Sequence, residues 1–169
     1  MFKIGEYIIY GNAGVCRVKD ITTMDVTGVE KNKLYYELSP VYISGSKVFT
    51  PVNNEKVIMR PVITKQETLD LIDEILGIEE LWIPDERVRE QTYKEALRSC
   101  DCRELIKIIK TLYERKQERI EDGKKATAVD DRYLKSAEEY LYGELAIALD
   151  MDRDQVKEYI EKRVEALRK

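Results

Sequence analysis

The chain has 169 residues, with 29 Lys/Arg against 33 Asp/Glu and no histidine at all. That length accommodates one domain or two small ones. The missing histidine removes Ser-His and Cys-His nucleophile pairs and the usual general base near neutral pH, so the composition points away from an enzyme.

No apolar run reaches the roughly 18 residues that a membrane-spanning helix needs. The opening MFKIGEYIIYG lacks the basic region and long apolar stretch of a signal peptide. A cytoplasmic location is expected. Cys16, Cys100 and Cys102 make no disulfide framework. Without histidine, the C-x-C of Cys100 and Cys102 lacks the usual zinc donors. All three are read as small semi-buried thiols, and neither metal nor cofactor is expected.

Residues 1–63 read as β. Tyr7 to Tyr10 is a short apolar strand, and Gly11-Asn12-Ala13-Gly14 is a turn built from residues that tolerate positive φ. Gly11 and Gly14 are too close, and too far from any helix, to form a nucleotide loop. Val15 to Ile21 alternates imperfectly. Leu34 to Leu38, Lys47 to Val52 and Val57 to Arg60 complete five short strands separated by glycine turns. The pattern predicts a small closed or half-closed barrel. Tyr7, Tyr10, Tyr35 and Tyr36 fall on these strands, as barrel core or as an aromatic recognition surface.

From Pro61 onward the apolar period becomes helical. Thr64 and Glu67 have capping-box spacing before a helix that Gly77 ends. A connector, Ile78 to Pro84, holds the only tryptophan, Trp82. A ring of that size stabilises most when buried, so beside Leu81 and Ile83 it is expected to pack at the domain junction, the alternative being an exposed anchor or wedge. The next helix places Val88, Tyr93, Ala96 and Leu97 on one side. Asp101 can cap a third, with Glu104 at capping-box spacing and Leu105, Ile108, Ile109 and Leu112 inward. Gly123 closes it. Thr127 can cap a fourth helix, and Asp152 a fifth. The expected fold is α+β with two domains: a β-barrel head over residues 1–63 and an all-α domain of about five helices over residues 64–169.

The head carries 8 Lys/Arg against 6 Asp/Glu, and the helical part 21 against 27. A net-acidic domain has little broad affinity for nucleic acid, which rests on phosphate neutralisation. Arg87, Arg89 and Lys94, with Arg115, Lys116 and Arg119 as a second set, are the candidate DNA contacts. The alternative is a solvated face of ion pairs such as Glu90–Lys94. A continuous basic stripe would favour DNA, and scattered pairs a protein-interaction module.

Several short motifs occur together in order. Phe2-Lys3-Ile4-Gly5-Glu6 leads into Ile8-Ile9-Tyr10 and Gly14. Val48-Phe49-Thr50-Pro51-Val52 follows, then Tyr93-Lys94 with Leu97, then Leu112 to Arg119, then Leu141-Tyr142-Gly143-Glu144-Leu145-Ala146. Over nearly the whole chain this resembles the CarD/CdnL family of bacterial transcription regulators, whose first domain is shared with transcription-repair coupling factor. The resemblance implies a Tudor-like head that docks on the RNA polymerase β subunit. It also implies a helical domain that contacts promoter DNA near the upstream edge of the melted region, tuning open-complex lifetime without catalysis.

The sequence departs from the family pattern in three places. Gly11 stands where the family has proline. The family's minor-groove tryptophan lies four residues before the Tyr-Lys pair, where this chain has Arg89. The loop Asp122 to Thr127 is longer. Short strands with unpaired edges can accept a partner strand. Together with the resemblance, this makes Val48, Phe49, Thr50 and Val52 the candidate polymerase contacts. The alternative function is a polymerase-bound module without DNA contact.

Overall fold

The computed structural model describes residues 1–28 and 30–168 and divides into two compact units, Met1–Val62 and Ile63–Lys169. The first is a Tudor-like β domain and the second is all-helical.

The β domain is a five-stranded antiparallel sheet: β1 (Tyr7–Tyr10), β2 (Gly14–Thr23), β3 (Leu34–Pro40), β4 (Val48–Pro51) and β5 (Met59–Pro61). Its strand order is β4-β3-β2-β1-β5. A single 3-10 turn, Gly11–Ala13, joins β1 to β2. β2 carries an irregularity between Val18 and Asp20. There the N-terminal segment joins it, Gly5 N–H bonding Val18 O and Val18 N–H bonding Glu6 O. β2 and β3 run longer than the sequence suggests, and β5 begins two residues later than expected.

Alternation sends Ile8, Cys16, Val18, Tyr36 and Leu38 into one core. Tyr36 is buried, and its hydroxyl accepts the Phe2 N–H at 3.0 Å. Tyr10 packs on the same cluster. These two tyrosines serve the core rather than a recognition surface.

The helical unit contains α1 (Lys65–Asp73), α2 (Arg89–Arg98), α3 (Cys102–Glu121), α4 (Ala128–Leu149) and α5 (Arg153–Arg168). The Thr64–Glu67 capping box forms in both directions. α1 stops at Asp73, and a 3-10 turn over Ile75–Gly77 completes the expected span. Asp101 caps α3 by accepting the Arg103 N–H at 2.8 Å. Glu104 pairs instead with Lys107 at 3.1 Å. Thr127 accepts the Asp130 N–H and starts α4.

At the end of α3, Gly123 has φ +75°. Its N–H bonds Ile120 O, and Lys124 N–H bonds Arg119 O. This is the double bond pattern with which a left-handed glycine closes a helix. Tyr93, Ile108, Leu112, Ala137, Leu145 and Val156 lie at the centre of the core. Val88, expected on the apolar side of α2, is exposed, because it belongs to the 3-10 turn before the helix.

Candidate functional site

The head's first candidate surface is the edge of its sheet. β4 pairs with β3 through Tyr35–Pro51, Tyr36–Thr50, Glu37–Phe49 and Leu38–Val48, and its other side has no neighbouring strand in the sheet. Val52 N–H bonds Leu34 O at 3.1 Å. Strand alternation then turns the backbone of Thr50 and Val48 toward β3 and the N–H and C=O of Phe49 outward. Pro51 offers no N–H on that open side, the usual placement of proline at a sheet edge.

The Phe49 side chain is exposed, as are Val41, Tyr42 and Ile43 in the β3–β4 loop. Of the four candidate polymerase contacts, Phe49 is the exposed one, and Val48 and Val52 are half-buried. Thr50 is buried and accepts an amide bond from Asn54 at 3.0 Å. Val48 and Val52 pack partly on the head core.

The second region takes in the turn before α2, α2 itself and the second half of α3, and all six candidate DNA-contacting cations on it have partners. Arg87 pairs with Asp85 at 2.7 Å. Arg89 is mostly covered. It donates to Glu86 at 2.8 Å and to the Tyr93 hydroxyl at 2.8 Å, and its guanidinium lies 5.9 Å from the Tyr93 ring centre. Lys94 is 3.9 Å from Glu90. Arg115 bonds both Asp130, at 2.8 Å, and Glu86, at 3.2 Å. Lys116 is 3.9 Å from Asp131, and Arg119 donates to the Lys125 carbonyl. The cations form a set of local pairs, not a continuous basic stripe.

The electrostatics follow from these pairs. The Arg89 hydrogen bonds, then the charges of Arg89 and Arg115, hold the Glu86 carboxyl below its ordinary value. The Arg87 guanidinium does the same to Asp85. Burial disfavours the Arg89 charge, but its bonds to Glu86 and Tyr93 outweigh that and raise its pKa. Burial alone pushes the Cys16 thiol up to about 11.

The expectation for Trp82 is overturned. Its surface is 82% exposed. Leu81 and Ile83 pack against the helical core, and the indole between them faces solvent. Leu81, Trp82 and Ile83 are all apolar, so nothing in the sequence says which of the three faces outward. The sequence gives no sign of the distant contacts of Glu86 with Arg115, Thr111 with Leu81, or Glu144 with Ile63, which join residues 29, 30 and 81 positions apart.

Among the described residues, no group of three or more Cys, Asp or Glu is arranged to hold a metal. Two open grooves of about 520 and 580 Å³ are lined by charges of both signs. Among the described residues, no helix is long and apolar enough to cross a membrane.

Residues 2–63 match the CarD-like/TRCF RID domain, and residues 84–161 match the CarD C-terminal domain. The chain belongs to the CarD/CdnL family. It is therefore an RNA polymerase-interacting transcription factor. Membership gives the β edge and the α2 region their context, since each lies within a matched domain. Trp82 lies two residues before the second match begins.

Proposed function

We propose that this protein docks on the RNA polymerase β subunit by adding a strand at β4 and, once docked, modulates the promoter open complex through Trp82. The observation that carries the docking is the open β4 edge, with Phe49 offering an outward N–H and C=O beside an exposed apolar loop. The head is then the polymerase-interacting domain and the helical unit the DNA-contacting domain of a bacterial, cytoplasmic regulator. The reading requires no reaction and no cofactor.

Promoter contact centres on Trp82 rather than on Arg89. In the family resemblance a tryptophan wedges into the minor groove. Here the exposed indole is offset in sequence from that position, and Arg89 is engaged with Glu86 and Tyr93. Arg87 and Lys94 contribute only where phosphates displace their exposed carboxylate partners. Binding to free DNA is weak in consequence, and tethering on polymerase supplies the effective concentration.

The pairing of all six cations favours a second reading, a polymerase-bound module without DNA contact. Two variants test both readings. Phe49→Pro removes the outward N–H without touching the Thr50 and Val48 bonds to β3, and should abolish β-subunit binding. Trp82→Ala should leave β binding intact and change open-complex lifetime on purified polymerase. Undiminished β binding by Phe49→Pro rejects strand addition. An unchanged lifetime for both Trp82→Ala and the triple variant Arg87→Ala/Arg89→Ala/Lys94→Ala leaves the module reading.

A further inference from the structure

The segment on either side of Trp82 is fastened twice to the same helix. Before it, Leu81 N–H donates to the Thr111 hydroxyl at 3.0 Å. That hydroxyl in turn donates to the Lys107 carbonyl at 2.6 Å, so both its functions are used and its orientation is fixed. After it, Glu86 accepts from Arg115 at 3.2 Å. Arg115 is itself held by the buried Asp130 of α4 at 2.8 Å. Thr111 and Arg115 lie one turn apart on α3, on the same face. Upstream, Lys110 donates to the carbonyls of Ile75 and Ile78.

The span between the two fastenings is Trp82-Ile83-Pro84-Asp85. Ile83 packs into the core, and Pro84 fixes its own φ near −65°. Trp82 is thus the exposed ring of a short, doubly anchored strap. An exposed tryptophan on a free loop would sample many directions and lose that freedom on contact, at an entropic cost to binding. A strap held at both ends has already lost most of it.

We infer that Thr111 and Arg115 are positioning residues: they hold the 81–86 strap on α3 so that the Trp82 indole is presented outward in one direction. Arg115 then acts inside the domain, between Glu86 and Asp130, rather than on a phosphate. The functional half of this inference rests on the proposed role of Trp82. The clamp itself does not.

Trp82 is the only tryptophan, so its fluorescence reports the strap directly in the full-length chain. Thr111→Val removes the acceptor for Leu81 N–H, and Thr111→Ser keeps it. Glu86→Gln weakens the other end and leaves Arg115 on Asp130. Thr111→Val and Glu86→Gln should each lower the steady-state anisotropy of Trp82 while the helical circular dichroism is retained, and Thr111→Ser should restore the wild-type value. Wild-type anisotropy in both Thr111→Val and Glu86→Gln overturns the clamp.

In transcription, Thr111→Val should lose the same lifetime effect as Trp82→Ala, and the double variant should lose no more. If Thr111→Val lowers the anisotropy but keeps the full lifetime effect, the functional half is overturned. If Trp82→Ala itself has no effect on lifetime, the proposed role of Trp82 fails, and the anisotropy result still decides the clamp.

Discussion

Glu144 accepts the Ile63 N–H at 3.0 Å, joining residues 81 positions apart. Its carboxylate is buried and also accepts from the Cys102 thiol at 3.2 Å. One side chain on α4 thereby ties the residue before the α1 cap to the first residue of α3. The same glutamate is the one in the Leu-x-x-Glu-Leu-Ala run by which the sequence resembles its family. Its role there is structural. Burying a carboxylate is costly unless its oxygens are bonded, and both oxygens of Glu144 have bonds.

Glu144→Ala should destabilise the helical unit by about 2–4 kcal/mol, because it leaves the Ile63 N–H unpaired and opens a cavity. Glu144→Gln keeps an acceptor for Ile63 and should cost less. Urea denaturation followed by circular dichroism measures both. Equal losses would show that the charge itself, not the acceptor, holds α1.

Gly11 adopts φ +40°, and a Cβ there would come within 2.7 Å of the Val57 side chain. Its N–H bonds Ile58 O at 2.9 Å. Restoring the family's proline should therefore destabilise this head, since proline requires a negative φ and has no N–H. The expected cost of Gly11→Pro is at least about 3 kcal/mol, and that of Gly11→Ala is about 1–2 kcal/mol. Thermal unfolding of the variants tests this. A neutral Gly11→Pro would mean that the turn readily refolds into the family's conformation.

Trp82→Ala should leave stability within about 0.5 kcal/mol of wild type, as expected for an exposed side chain away from the core. A buried ring would instead cost about 3–5 kcal/mol. A clear drop in melting temperature would put the indole back in the packing role that ring size suggests.

The Asp85 and Glu86 pairs predict a pH dependence with a definite sign. Both folded-state values are lowered, Asp85 from 3.8 and Glu86 from 4.5, by their arginine partners. Groups of this kind contribute stability that is complete above the unfolded value and is lost as pH falls through the folded one. The contribution should be flat above about pH 5.5 and decline below the ordinary carboxylate values. The Trp82 anisotropy should fall with it as Glu86 releases Arg115. In Glu86→Gln that acid-induced change should shrink. An identical pH profile in wild type and Glu86→Gln would assign it to other carboxylates, Asp85 beside Arg87 first among them.

The local part of the structure is legible in the sequence. Thr64 with Glu67, Asp101, Thr127 and Gly123 mark helix ends, because a cap is a bond between residues two to five apart. The five strands follow from alternation and glycine turns for the same reason. The ordered motifs from Phe2 to Ala146 also identified the family. Tertiary structure alone decided which charges are spent and which ring is displayed. Arg115 is as basic in sequence as any phosphate contact, yet Asp130 and Glu86, 15 and 29 positions away, occupy it. Glu144 reads as one more surface carboxylate until Ile63 and Cys102 arrive beside it. Trp82 reads as core until Leu81 and Ile83 claim the inward direction. Burial and ion pairing depend on partners brought together from distant parts of the chain, and periodicity, which sees only near neighbours, cannot name them.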